Sequence, residues 1–254
     1  MIEIEQFSCL SDNYGYLMHD PKTGATASID TPEVAPILNC LARRGWTLTH
    51  ILNTHHHFDH AGGNLELKEK TGCTIIGPAD DAAHIQGLDQ TVNQGDQITI
   101  GSIKLDVLNV GGHTKGHIAY HCAAEKFAFV GDTLFVLGCG RIFEGTPAQM
   151  WDSLKRLAAL PADTVIYCAH EYTLANAKFA LTIDPDNRQL QARMEEFVAL
   201  RAEGKPTVPT TIAAEMATNP FLRAADPGIR MQLAMQDAPD VDVFAEIRRR
   251  KDSF

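Results

Sequence analysis

Residues 53–63, NTHHHFDHAGG, place four histidines and one aspartate within six positions, His55 to His60. Imidazole nitrogens and carboxylate oxygens are the donors that borderline divalent ions such as Zn²⁺, Mn²⁺ and Fe²⁺ take. Further donors lie downstream in GGHTKGH (His113), FVGDTLF (Asp132) and CAHEYT (His170). The seven candidate ligands are then His55, His57, Asp59, His60, His113, Asp132 and His170, a set too rich in nitrogen for Mg²⁺ or Ca²⁺. A catalytic ion keeps about three protein ligands and leaves a position for water, so seven donors divide into two sets that share one carboxylate. In extended backbone His55 and His57 lie on one side and can share an ion, with His56 directed away. Asp59 and His60, after a turn at Phe58, serve the other ion. His117 competes with His113 for its role, while His19, His50, His84 and His121 read as ordinary core or surface residues. No two cysteines have the spacing of a zinc site.

Donors so far apart in sequence meet only if strands deliver them to one edge, where loops carry the chemistry. Four expected strands end at or just before a donor. LTHILN (48–53) empties into the histidine cluster. QITIGSIKLDVLNV (97–110) holds two strands around Gly101 and precedes His113. IAYHCAAEKFAFVGD (118–132) reads as an antiparallel hairpin turning at 123–126 and ending on Asp132, and TVIYCAHEY ends at His170. Other elements fill the gaps. ATASID (25–30) is a strand, with Thr31 as the expected N-cap and Pro32 as the first residue of a helix running to about Arg44. Val34, Ile37, Leu38 and Leu41 share a face of that helix, and Gly45 stops it. Pro36 is awkward inside it, so the regular part starts later. GGNLELKEKTG is a helix ending at Gly72, CTIIG a strand, and TPAQMWDSLKRLAAL a second helix with a Thr-Pro start.

Interleaved strands, helices and hairpins predict an α+β fold of mixed sheets covered by helices, not a purely parallel doubly wound sheet. After Tyr172 the texture becomes helical. NRQLQARMEEFVALRAEG sets Leu190, Met194, Phe197, Val198 and Arg201 along one stripe, and DVFAEIRRRKDSF is a helix with a strongly basic end. The expected division is therefore a metal-binding catalytic domain at 1–172 and a helical substrate-binding domain at 173–254, joined without a Gly/Ser linker.

The chain has 254 residues, 44% of them hydrophobic, and a formal net charge of −10. That acidity argues against general nucleic-acid binding. It is uneven: residues 1–172 carry 11 Lys and Arg against 20 Asp and Glu, whereas residues 173–254 carry 11 against 12. The first part is the better cation binder, and an anionic ligand is held more easily by the second. Six scattered cysteines read as reduced thiols. The start, MIEIEQFSCL, has no leader features, and no apolar run approaches the ~20 residues of a membrane helix, so the expected location is the cytoplasm.

THHHFDHAGG resembles the T-H-x-H-x-D-H signature of the metallo-β-lactamase superfamily, and the motifs around His113, Asp132 and His170 follow in its order. That resemblance implies a four-layer αββα sandwich with a dinuclear site at one edge. CLSDNYGYL (9–17), GCGRIFEGT (138–146), AHEYTLANAKFA (169–180), PTTIAAEMATNPFLR (209–223) and RRRKDSF (248–254) are similar to the hydroxyacylglutathione hydrolases, the glyoxalase II family. The likeness covers nearly the whole chain, including the C-terminal all-helical domain that most of the superfamily lacks. It implies that His55, His57 and His113 hold one metal, Asp59, His60 and His170 the other, and that Asp132 bridges. It also implies two divalent ions, Zn foremost with Fe or Mn possible alternatives, and glutathione contacts from Tyr172, Arg141, Arg248 and Lys251. Phe143 stands where some members have Tyr, so a hydroxyl contact to the peptide is missing.

The activity implied is hydrolysis of the thioester of S-(2-hydroxyacyl)glutathione, typically S-D-lactoylglutathione, by a hydroxide bridging the metals. Asp59 and Asp132 are its catalytic carboxylates. A thiol of pKa near 8.5 leaves with little help from a general acid, which suits a site without an obvious spare acid. The substrate is net anionic, and the run Arg248 to Lys251 is a docking patch for it. The expected partner is this small molecule alone, with no nucleic acid and no membrane, for a monomeric enzyme. The competing reading within the superfamily is a glutathione persulfide dioxygenase with a single iron. A metal-buffering or partner-binding pseudoenzyme conflicts with a ligand set that has no member missing, and a β-lactamase leaves the extra domain unexplained.

Overall fold

The computed structural model describes residues 2–254 and forms two compact units. The first takes in the chain up to Asn109 together with Thr114–Gly131, and the second Val110–His113 together with Asp132–Phe254.

In the first unit β1 (Glu3–Cys9), β2 (Asn13–His19), β3 (Thr26–Ile29), β4 (His50–Leu52), β5 (Thr74–Pro78) and β6 (Gln90–Val92) form one mixed sheet in sequence order. The first three strands are antiparallel neighbours. From β3 onward the pairing is parallel, because each return passes over the sheet instead of through a tight turn. Two of those crossovers are helical, α1 (Val34–Arg44) and the pair α2 (Phe58–Ala61) and α3 (Asn64–Thr71). Ile37, Cys40 and Leu41 of α1 and Leu67 of α3 pack with Leu17, Ile51 and Ile75 of the strands into one buried cluster. The meander β7 (Gln97–Ile100), β8 (Ile103–Asn109), β9 (Ile118–Cys122) and β10 (Phe127–Gly131) forms the facing sheet. The two sheets meet where Tyr16 lies 5.5 Å from Phe129, ring to ring, and where the Tyr120 hydroxyl donates to the Asn53 carbonyl at 2.8 Å.

The start of α1 differs from the sequence reading. Glu33, not Thr31, precedes the first helical residue. The Thr31 hydroxyl is taken instead by long-range acceptors, Asn64 Oδ1 at 2.8 Å and the His60 carbonyl at 3.3 Å, so it serves the histidine loop. Pro36 becomes the third helical residue, where a backbone N–H would have no acceptor within the helix. The hairpin of β9 and β10 turns over 123–126 as its sequence predicts.

The second unit holds a small hairpin, β11 (Leu134–Phe135) and β12 (Gly138–Cys139), then α4 (Pro147–Ala158) and β13 (Val165–Cys168). There follow α5 (Thr173–Ile183), α6 (Arg188–Ala202), β14 (Thr210–Thr211), α7 (Ile212–Thr218), α8 (Pro227–Leu233) and α9 (Asp240–Asp252). The C-terminal stretch is helical except for β14, which pairs antiparallel with β13 and is too short to leave a period of two in the sequence. Aromatic packing makes this unit one body. Trp151 of α4 stacks on Phe244 of α9 at 5.7 Å, and Phe179 of α5 on Phe221 at 6.0 Å. Residues 132–172 thus pack with the helices that follow them, so the unit boundary does not track the change of texture at Tyr172.

Thr146 caps α4 through a reciprocal capping box with Gln149, with Pro147 at the first helical position. Thr146→Ala is expected to lower the unfolding free energy by about 1 kcal/mol, read as a shift in denaturant midpoint at constant m-value.

Candidate metal centre

Each unit carries its own group of donors. In the first, β3 ends at Asp30, and this buried carboxylate organises the histidine loop. Its Oδ1 accepts from the Thr54 backbone N–H at 2.7 Å, and its Oδ2 from the Thr54 hydroxyl and from His60 Nδ1, both at 2.8 Å. A carboxylate can only accept here, so His60 is protonated at Nδ1 and its lone pair sits on Nε2. The Thr54 hydroxyl, its hydrogen already given to Asp30, accepts from His55 Nδ1 at 3.0 Å, which likewise leaves Nε2 of His55 as the lone-pair nitrogen. His55 Nε2 then lies 3.0 Å from His57 Nδ1, and His60 Nε2 lies 3.4 Å from Asp59 Oδ2. The short helix α2 starts between His57 and Asp59, so the expected turn at Phe58 is a single helical turn that presents Asp59 and His60. Asn13 donates to Asp59 Oδ2 at 3.1 Å and fixes that carboxylate. His56 turns away and binds Asp81 Oδ2 at 2.9 Å.

In the second unit Asp132, the residue after β10, places Oδ2 3.4 Å from His113 Nε2 and 3.4 Å from His170 Nε2. His113 Nδ1 donates to the Arg141 carbonyl at 2.8 Å, which again assigns the lone pair to Nε2. Four ligands held about 2.0–2.1 Å from a tetrahedral ion lie roughly 3.3–3.4 Å from one another. One carboxylate oxygen at that separation from two imidazoles fits a bridging ligand. His117, the rival of His113, is buried in the first unit and stacks on the His55 ring at 4.5 Å, whereas His113 is the histidine beside Asp132. All six cysteines are free and buried, and burial pushes the Cys139 thiol up to about 11 and the Cys168 thiol up to about 12, so thiolate ligation has no support. These histidine and aspartate clusters make a divalent-metal donor set.

Comparison with known proteins agrees. The metallo-beta-lactamase superfamily model matches residues 23–170, and the model for the hydroxyacylglutathione hydrolase C-terminus matches residues 171–254. A hydroxyacylglutathione hydrolase of Maricaulis maris is 59% identical over 251 residues, 99% of this chain and 98% of that one. Another of Rhizobium etli is 56% identical over 253 residues, covering 100% and 99%. The chain belongs to the hydroxyacylglutathione hydrolase family. Among solved structures, ETHE1 from Myxococcus xanthus matches with a TM-score of 0.68 and 27% identity over 97% of this chain and 96% of that one. TTHA1623 in a di-iron-bound form shares the fold, with a TM-score of 0.64 and 22% identity over 87% and 100%. The metallo-β-lactamase fold with a helical C-terminal region is thereby established.

This hydroxyacylglutathione hydrolase family member keeps all five residues singled out for substrate in its second unit. Tyr172 stacks on the His170 ring at 4.7 Å and 2°, and Phe143 sits edge-on to His113 at 5.1 Å with 62% of its surface exposed. The basic run of α9 proves heterogeneous. Arg249 and Arg250 both pair with Glu246, and their guanidinium groups hold its carboxyl down at about 2. Arg248 is only 5% exposed; it donates to the Cys139 carbonyl at 2.8 Å and pairs with Asp252 at 2.8 Å. Lys251 is half-exposed, donating to the Ala175 carbonyl, and Arg141 is the open cation, 3.8 Å from Asp252. No described helix is long and apolar enough to cross a membrane.

Asp30 is the residue that sequence reasoning missed, although ATASID is a further strand ending on a carboxylate. Asp30→Ala is expected to weaken metal affinity about 10- to 100-fold, as loss of a carboxylate behind a ligating imidazole does. Competition with a chromophoric chelator measures it; unchanged affinity would show that His60 needs no such support.

Proposed function

We propose that this chain hydrolyses the thioester of S-(2-hydroxyacyl)glutathione, typically S-D-lactoylglutathione, to glutathione and D-lactate, the second step of methylglyoxal detoxification. The reading is carried by the full-length identity of 55–59% to relatives named hydroxyacylglutathione hydrolase. The proposed ligand sets are His55, His57 and His113 for one ion and Asp59, His60 and His170 for the other, with Asp132 shared. The Oδ2 of Asp132 stands 3.4 Å from both His113 Nε2 and His170 Nε2, as a carboxylate shared between two ligand sets would. Zinc is the leading choice for the ions, with iron or manganese next.

Bound there, two such ions would supply Lewis acidity, lowering the pKa of water toward about 7 and stabilising negative charge on the thioester oxygen. The chain's own groups do the rest. Asp59, steadied by Asn13, orients the attacking water, and Asp132 fixes the spacing of the two sets. Tyr172, stacked on His170, contacts the glutathione moiety, and Phe143, edge-on to His113, stands there without the hydroxyl that a Tyr would offer the peptide. Lys251 and Arg141 receive the glutathione carboxylates, and Arg248, tied to the Cys139 carbonyl and Asp252, supports the helix end that carries Lys251. Residues 1–172 thus carry the chemistry and share the glutathione contact, through Arg141 and Tyr172, with the helical stretch 173–254, in a cytoplasmic monomer.

The direct test is loss of thioester absorbance with S-D-lactoylglutathione. Oxygen uptake with glutathione persulfide and no thioester hydrolysis would favour the one-iron dioxygenase. Lys251→Ala should raise KM about tenfold or more with kcat changed far less, since a charge-assisted bond is lost in ground and transition states alike. Burial, Arg248 and Arg141 push the Lys251 ammonium down to about 8, so its charge is present below that pH and lost above it. KM should therefore rise between pH 7 and 9 in the unaltered protein and stay flat in Lys251→Arg. A KM independent of pH in the unaltered protein would contradict the assignment.

A further inference from the structure

The hairpin of β11 and β12 connects Asp132 to Arg141, and two strands of two residues each do not hold themselves together in water. Its turn also contains Leu137 at φ +57°, a conformation that non-glycine residues rarely adopt. The backbone is instead held from outside. Asn219 Nδ2 donates to the Phe135 carbonyl at 3.2 Å and to the Gly138 carbonyl at 3.0 Å. Asn176 Nδ2 donates to the Val136 carbonyl at 3.1 Å, and Glu215 Oε2 accepts from the Leu137 N–H at 2.8 Å. Arg248 donates to the Cys139 carbonyl, so every residue from 135 to 139 has a backbone group bound by a side chain of the C-terminal helical stretch.

The centre of this clamp is buried. Glu215 and Asn219 are both 0% exposed. Glu215 also accepts from Asn219 Nδ2 at 3.0 Å, Thr210 Oγ1 at 2.8 Å and Arg193 at 2.8 Å, which with Leu137 fills its four acceptor sites and neutralises its charge. Partners of that quality make the hairpin's position discrete rather than adjustable.

The next residues reach the donors. A Cβ at Gly140 would lie 1.9 Å from the Asp132 carbonyl oxygen and 3.2 Å from His113 Nδ1, so the backbone packs directly against both. The Arg141 carbonyl is the acceptor that orients His113. The hairpin therefore sets where Asp132 and His113 stand.

We propose that Asn219, Glu215 and Asn176 are positioning residues of the metal centre, acting through the 135–141 backbone on His113 and Asp132. The helical stretch then does more than hold glutathione: it fixes the bridging carboxylate. The proposal rests on the ligand assignment made above, though not on the identity of the substrate.

The experiment compares Asn219→Ala and Asn176→Ala with the unaltered zinc-loaded chain. Three quantities are read: the rate of zinc release to excess chelator, amide hydrogen exchange over residues 134–141 in metal-free protein, and kcat with KM for S-D-lactoylglutathione. Asn219→Ala should release zinc at least tenfold faster, exchange the Leu137 and Gly140 amides at least tenfold faster, and lose kcat with KM within about twofold. Asn176→Ala, which removes one bond, should shift each in the same direction by less, and it decides the matter if Asn219→Ala does not fold. Zinc release at the unaltered rate despite faster loop exchange would overturn the proposal. So would exchange that rises uniformly over the whole chain, the mark of a merely structural role. Failure of the unaltered protein to cleave the thioester would sink the substrate reading alone and leave the zinc and exchange results to judge the clamp.

Discussion

One carboxylate oxygen, Asp132 Oδ2, stands 3.4 Å from each of two imidazole nitrogens, and the surrounding unit is arranged to keep it there. Without a cation, such convergence of lone pairs is repulsive and dehydrated, so the fold must hold it by other means. The strand β10 delivers Asp132, the Arg141 carbonyl turns His113, and Tyr172 lies flat on His170. In the first unit Asp30 plays the equivalent part for Thr54 and His60. The bonds that fix His60 and His113 are charge-assisted and backbone-anchored respectively, the kinds that define geometry as well as contribute energy.

The charge distribution suits the same end. A chain with a net charge of −10 favours cations overall, yet an anionic glutathione thioester needs local positive potential. In the proposed reading that potential comes from Arg141 and Lys251. Arg249 and Arg250 share the single carboxylate of Glu246, and Arg248 pairs with Asp252, which also lies 3.8 Å from Arg141. Arg248, buried and tied to the Cys139 carbonyl and Asp252, is a structural base for that patch.

Much of this was legible in the sequence because it rests on local signals. Imidazoles at alternate positions, strands ending on donors, and the Thr-Pro start of α4 are short-range patterns that the fold honours. Where the reading fell short, the missing information was long-range. Thr31 looks like a helix cap, but its hydroxyl is drawn to Asn64, 33 residues on. Asp30 looks like a strand-end turn residue until His60 is folded against it. Arg248 reads as a substrate contact in a basic docking patch, and only packing against Phe221 and Cys139 shows it to be buried. Asn219 and Asn176 lie within stretches that carry the family resemblance, but nothing in their residue type announces their role, since they bind backbone carbonyls, which every residue carries.

The central claim is that a single carboxylate couples two ions, and metal stoichiometry answers it most directly. Zinc bound per chain is measured after dialysis for the unaltered protein and for Asp132→Ala. The account predicts two ions per unaltered chain and the weakening of both together in the variant. An Asp132→Ala chain that retains two tightly bound ions, or loses only one, would contradict it.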